Sequence, residues 1–535
     1  MSIPIYRSPP RSDAPPRRVA RVPYASVRWV LPLVSGVLLG FSFLPYGTGP
    51  IGWIALVPLF IRWTRAQSAR RLYAEAYACF LVACVIAFHW VVFHPVRDAA
   101  AASLGGLLFF PLLLSLPAAL AVPFRKRWGI LNGLLTLIAF HISLEWTLHR
   151  GPFAFPWPLL AHTQATVDPF QQMVDLSGPS TLSAWILLLN AGITTALLAR
   201  RRWVQGAAVG AVVVLVLSSA LYGRFRVETP LRVKTHTQAL LVQPGLGASA
   251  WADLDSPVRV NRLLRLSSAA LDTSSPANVV IWPETALYLP ADSTTQATKV
   301  DRLQAWSAQQ HTALLTGAIK ASRRGAGRQG QYYNAALLID STRVQSYRKN
   351  YLVPFAEFVP LVDRLPGLHR LRVSAGGVAG YKRGRLQPTL AGDLFHAGAL
   401  ICFESLFSRH IRSYIDPAIT TRPVDFLVTI AQDGWWGPSA GYQQHVAFSQ
   451  LRAIATRRAM AFVTVSGRTG LIDPRGRLKA ATEWMTPTVR RVEIPHATIL
   501  SPYVRFGDII GRMALLASTA CALVAASWTV RRLIR

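Results

Sequence analysis

Seven apolar blocks crowd the first 222 residues, at roughly 29–45, 50–64, 73–94, 101–122, 129–148, 179–199 and 203–222, and an eighth runs from about Ile509 to Val530. Most approach the ~20 residues that a helix needs to cross a bilayer, the second being the shortest. With 51% hydrophobic residues and a mean hydropathy of +0.30, the chain falls in the membrane class. The first block reads as a retained span rather than a signal peptide, because further blocks follow at once and no small-residue cleavage site appears.

The formal charge of +32 invites a nucleic-acid reading, but the arginines clump between apolar blocks and no reader motif accompanies them, so no nucleic-acid partner is expected. Basic clusters lie in the Arg- and Pro-rich segment 1–28, at Arg62/Arg65/Arg70/Arg71, at Arg125/Lys126/Arg127 and at Arg200/Arg201/Arg202. The connections between them, Pro45–Pro50, His94–Ala100 and His149–Gly178, carry few positive charges. By the positive-inside rule the first set is cytoplasmic, and seven spans then place the following segment on the far side. Four parts result: a disordered basic tail at 1–28, a seven-span domain at 29–222, an exported domain at 223–505, and a closing span with a cytoplasmic tail at 506–535. The connection containing Phe155-Pro156-Trp157 is too aromatic for a solvated loop and belongs at the outer interface.

Between about Thr235 and Pro495 short β-branched runs replace the long apolar blocks. Strands are expected at 239–243, 278–282, 313–317, 334–339, 399–401 and 425–430, with helical patterns at 258–270, 297–310 and 442–459. This alternation predicts an α/β domain with buried strands.

Three reactive side chains follow strand-like runs in this region: Glu284 in Trp282-Pro283-Glu284, Lys349 in Arg348-Lys349-Asn350, and Cys402 in the run His396–Phe407, which reads as a buried strand delivering a thiol to a sheet edge. The chain has 4 cysteines, and Cys79, Cys84 and Cys521 lie in apolar blocks, so Cys402 has no disulfide partner in the polar region. Taken singly, each residue has a plainer reading: a helix cap for Glu284, a solvated basic cluster with Arg343 and Arg348 for Lys349, a small core residue for Cys402. Together an acid, an ammonium and a thiol are what thiol-based acyl transfer requires.

The three segments in this order resemble the nitrilase, or carbon-nitrogen hydrolase, superfamily. Joined to the spans, the Phe155-Pro156-Trp157 loop, Trp282-Pro283-Glu284-Thr285-Ala286, Leu352-Val353-Pro354-Phe355-Ala356-Glu357-Phe358-Val359-Pro360 and Cys402-Phe403-Glu404, they look like the apolipoprotein N-acyltransferase family. The resemblance implies an α-β-β-α sandwich carried by about eight membrane helices in a bacterial inner membrane, with the sandwich periplasmic. It implies Glu284 as general base, Lys349 as oxyanion and thiolate stabiliser, and Cys402 as nucleophile. Glu357 and Glu404 match auxiliary acids, Trp251 and Asn334 match positions near the active site, and the Phe403 N–H completes the oxyanion hole. The implied substrates are a membrane phospholipid as acyl donor and a diacylglyceryl lipoprotein as acceptor, with neither cofactor nor metal.

The chain departs from the family at Phe403, where tyrosine is usual, at Gln432, where asparagine is usual, and at Ala455, Phe462 and Val465, where polar groups are usual. These departures bear on the acceptor. They leave open a divergent paralogue linked to conjugal transfer, a membrane-tethered amidase, or a scaffold with a vestigial site. Gly437-Pro438-Ser439-Ala440-Gly441 fits the G-x-S-x-G pattern of a serine-hydrolase elbow. Gln432–Trp436 separates Ser439 from the preceding strand, however, so it is set aside. His445 is expected to be structural, because the triad leaves it no role.

Overall fold

The computed structural model describes residues 24–93, 97–253, 256–271, 276–291, 293–322, 331–361, 374–375, 378–385 and 388–534. Most of the predicted basic tail lies outside these residues, and a helix is already under way at Tyr24, running to Phe41.

Among the described residues six helices are long and apolar enough to cross a membrane: Ala69–Phe93, Ser103–Leu120, Val122–Thr147, Pro179–Leu198, Arg202–Glu228 and Ile509–Trp528. They match six of the eight predicted blocks. The first block is a shorter apolar helix, Arg28–Phe41. The second is broken into a 3-10 turn, Gly49–Trp53, and a nine-residue helix, Val57–Arg65, as expected where Pro50, Gly52 and Pro58 interrupt helical hydrogen bonding. Arg202–Glu228 turns Val214, Leu217, Leu221 and Phe225 outward, each more than half exposed. An apolar face of that extent is stable against lipid, not water.

The remainder is a sandwich of two sheets. The first runs Thr488–Ala497, Val233–Gln243, Val279–Ile281, Ala313–Ser322, Gln331–Ile339, Val344–Arg348. The second runs Leu478–Lys479, Gly470–Ile472, Met460–Thr464, Phe426–Ala431, His396–Ile401, Leu390–Ala391. Strand periodicity divides each strand between two cores. Ala239, Leu241, Ile281 and Leu315 meet Ala399, Ile401, Val428 and Ile430 between the sheets. On the outer face of the first sheet Leu240, Val280 and Leu314 pack against Val260, Leu263 and Leu303 of helices Ser256–Ala270 and Ser293–Gln310. On the outer face of the second, Leu400, Leu427 and Met460 pack against Ile411, Val446 and Ala453. The layers are therefore α-β-β-α.

Topology positions the site. Val233–Gln243, Val279–Ile281 and Ala313–Ser322 are mutually parallel, and so are His396–Ile401, Phe426–Ala431 and Met460–Thr464. Val344–Arg348 reaches the same orientation through two antiparallel pairings. Residues that follow these strands thus gather at one C-terminal edge, the usual place for a site in such sheets. That edge rests on the helices: the Phe155 ring lies 5.5 Å from the Phe403 ring, and Trp157 Nε1 donates to Gln444 Oε1 at 3.0 Å.

Candidate active site

Glu284, Lys349 and Cys402 each follow a strand and are all buried. Lys349 Nζ donates to Glu357 Oε1 at 2.8 Å and lies 3.7 Å from Glu284 Oε1. Asn334 Nδ2 bridges the two acids, at 2.7 Å from Glu284 Oε1 and 3.3 Å from Glu357 Oε1. Glu284 Oε2 accepts from the Gln432 N–H at 2.9 Å, and Glu357 Oε2 from the Val353 N–H at 2.8 Å. The local backbone is built for this approach. A Cβ on Gly317 would stand 2.6 Å from Glu284 Cα, so only glycine lets this strand pass beneath the acid.

Cys402 opens a 3-10 turn, Cys402–Leu406, in the left-handed region at φ 50°. That conformation costs a non-glycine residue about 1–2 kcal/mol, an amount the surrounding hydrogen bonds can offset. Glu404 supplies several of them and, unlike Glu357, stands apart from the lysine. Its Oε1 accepts from Tyr347 Oη at 2.6 Å, Asn350 N at 2.6 Å and Tyr351 N at 3.0 Å, and its Oε2 from Ile401 N at 2.9 Å. Glu404 therefore ties the cysteine turn to the lysine turn. Trp251 reaches the cluster through one neighbour, donating from Nε1 to Thr285 Oγ1 at 3.1 Å. Phe403 packs its ring between Phe155 and Phe407.

The electrostatics follow from burial. Glu284 is pushed above the ordinary carboxylate range by burial, which outweighs the pull of Lys349. For Lys349 burial works downward, but Glu357 and then Glu284 outweigh it and hold the ammonium charged. Burial raises the Cys402 thiol well above its usual value, and Glu284 adds to this. A thiolate at this position consequently forms as its proton is taken, next to the lysine, and not in advance.

Ser439 caps the helix Ala440–Thr456, its Oγ accepting from Gly441 N at 3.2 Å. That is a structural job, consistent with setting the serine elbow aside. Ala455, Phe462 and Val465 are completely buried, so these departures fill core space. Gln432, noted in the sequence only as a departure from the family, reaches Glu284 through its backbone N–H, and Asp433, which the sequence did not single out, pairs with His445 Nδ1 at 2.8 Å. Their only signal was position, directly after a strand paired with the one that carries the cysteine.

This sandwich, with an acid, an ammonium and a thiol at its strand ends over a bed of apolar helices, is the arrangement expected of a membrane-borne carbon-nitrogen hydrolase. Two family models match in succession: "Apolipoprotein N-acyltransferase N-terminal domain" over residues 35–192 and "Carbon-nitrogen hydrolase" over residues 242–501. A protein of Chlorobaculum tepidum named apolipoprotein N-acyltransferase is 29% identical over 524 residues, spanning 93% of this chain and 96% of its own. One of the same name from Geobacter metallireducens is 27% identical, spanning 98% and 97%. Among solved structures, an amidase from Nesterenkonia sp. is 17% identical and covers 50% of this chain and 94% of its own at a TM-score of 0.35. Over nearly its whole length the chain is similar to proteins named apolipoprotein N-acyltransferase.

Proposed function

We propose that this membrane protein moves an acyl chain from a membrane phospholipid, through a thioester on Cys402, to the N-terminal amine of diacylglyceryl-cysteine apolipoproteins. The observation that carries the reading is the buried cluster of Glu284, Asn334, Lys349 and Glu357 beside Cys402, on the face of the sandwich that rests against apolar helices.

Glu284 takes the Cys402 proton as the sulfur adds to the ester carbonyl. Negative charge develops on the carbonyl oxygen, where Lys349 Nζ and the Phe403 N–H stabilise it. Collapse breaks the ester C–O bond, and the departing lysophospholipid oxygen takes the proton back from Glu284. In the second half the acceptor amine attacks the thioester, gives a proton to Glu284, and expels the sulfur, which regains that proton. A base raised above the usual carboxylate range suits both directions of transfer. Glu357 holds the lysine, Glu404 holds the cysteine turn, and Trp251 supports Thr285 beside the base.

The domain limits at 29–222, 223–505 and 506–535, the eight-span count and a periplasmic sandwich in a bacterial inner membrane belong to this proposal. Alternating basic clusters support the orientation. An alkaline phosphatase fusion at Gly325 is expected to be active, and an inactive one reverses the topology. For the chemistry, purified protein incubated with phospholipid is expected to gain one acyl mass on Cys402 and to lose it on adding a diacylglyceryl peptide. An acyl adduct discharged by water as fast as by the peptide would favour the amidase instead; no adduct would favour the scaffold.

A further inference from the structure

Behind the cysteine turn lies a buried pair that the acyl-transfer scheme leaves unused. His445, on helix Ala440–Thr456, and Asp433, in the turn after Phe426–Ala431, are both completely buried. His445 Nδ1 faces Asp433 Oδ1 at 2.8 Å. Nε2 faces two oxygens, the carbonyl of Cys402 at 3.2 Å and Ser405 Oγ at 3.0 Å. A carboxylate and a carbonyl only accept, so the ring satisfies both when each nitrogen carries hydrogen, with Asp433 as counter-charge. Ser449 Oγ donates to Ser405 Oγ at 3.1 Å, and Trp436 and Phe462 stand edge-on to the imidazole. The ring is held from every side.

Its grip falls on a peptide unit with two ends. The Cys402–Phe403 bond is trans, since among the described residues only Leu44–Pro45 and Asp168–Pro169 are cis. In a trans peptide the C=O and the following N–H point in opposite directions. Drawing the Cys402 carbonyl toward His445 therefore turns the Phe403 N–H the opposite way, away from the imidazole. We propose that His445 and Asp433 are positioning residues of the acylation step, aiming the Phe403 N–H at the oxyanion by holding the Cys402 carbonyl. The proposal rests on Cys402 as the nucleophile.

Two reactions of the same thiol separate this role from a merely structural one. Acylation by phospholipid builds an oxyanion; alkylation by iodoacetamide does not. In His445→Ala, single-turnover acylation is expected to fall by about tenfold to a hundredfold, the usual range for a weakened oxyanion donor, while alkylation of Cys402 stays within about threefold. His445→Gln, whose amide reaches toward the Nε2 position, is expected to recover part of the loss, and His445→Asn, which is too short, is not. Asp433→Asn should show the same selective defect in weaker form. If His445→Ala does not fold, the Gln and Asp433→Asn variants carry the test. Unchanged acylation, or equal losses in both reactions, overturns the proposal. A wild-type protein that is alkylated at Cys402 but never acylated there overturns the nucleophile reading instead.

Discussion

At the seam between helices and sandwich, one carboxylate is surrounded by donors. Asp175 Oδ2 accepts from Arg457 Nη2 at 2.5 Å, Arg457 Nε at 3.0 Å and Arg226 Nε at 2.8 Å, and its Oδ1 from Tyr222 Oη at 2.6 Å. At the strand ends the proportions reverse: one ammonium, Lys349, serves Glu284 and Glu357, with the Cys402 thiol within electrostatic reach. The seam cluster is saturated. In the strand-end cluster acceptors outnumber charges, and Asn334 Oδ1 is buried without a partner among the described residues. A saturated carboxylate flanked by planar guanidinium forks stays where it is. An under-supplied cluster around a compact ammonium gives a proton somewhere to go. Surplus of donors makes a lock; surplus of acceptors makes a proton-transfer site.

Cys402→Ser removes the group the strand-end cluster serves, and the acyl adduct is expected to drop by about a thousandfold or more in mass spectrometry because a hydroxyl is far less nucleophilic. The fold should persist, and a variant with near-normal turnover would break the contrast at its centre. Exchanging the cations comes next. Lys349→Arg is expected to lose about a hundredfold in single-turnover acylation, no better than Lys349→Ala, because the planar fork cannot replace a point charge between two acids. The reverse exchange, Arg457→Lys, should leave acylation within about threefold per folded molecule and lower thermal stability by about 1–2 kcal/mol through loss of the fork.

Asp175→Asn sharpens the lock side. Leaving the buried Arg457 and the partly buried Arg226 without a counter-charge is expected to cost about 3 kcal/mol of stability, read from thermal unfolding in detergent, with little change in the rate of the folded fraction. The smallest effect is on pH. Glu284 acts as a base only when ionised, and its proton affinity is raised above the ordinary value of 4.5. Acylation should therefore decline as pH falls through that raised value, and the acid limb should lie above 4.5. A limb at or below the ordinary glutamate position would mean that the lysine outweighs burial.

Much of the architecture was legible beforehand, for identifiable reasons. Long apolar blocks have few folded alternatives to a membrane helix, and strands such as Phe426–Ala431, buried at every position, stand out as unbroken apolar runs. Thr488–Ala497 was missed because Arg490, Arg491 and Glu493 give it an exposed face and Pro495 interrupts it, as suits an edge strand. The helix expected at 442–459 begins two residues earlier, at Ala440, and ends three residues earlier. It stops at Thr456, with Arg457 in the left-handed region at φ 52°, because that arginine turns aside to reach Asp175.

The sequence by itself determined the parts: which blocks are apolar enough for lipid, which runs become strands, and which acid, ammonium and thiol follow them. Their chemistry depends on local residue type and spacing, and both are visible in one dimension. Tertiary structure alone decided the partnerships. It placed Glu357 on the lysine and Glu404 on the cysteine turn, although both are glutamates near a reactive residue. It also brought Asp433 and His445 behind Cys402, and Arg457 to Asp175 across 282 positions of chain. The physical reason is that burial makes each hydrogen bond and charge depend on what faces it from another element, and no local pattern records that.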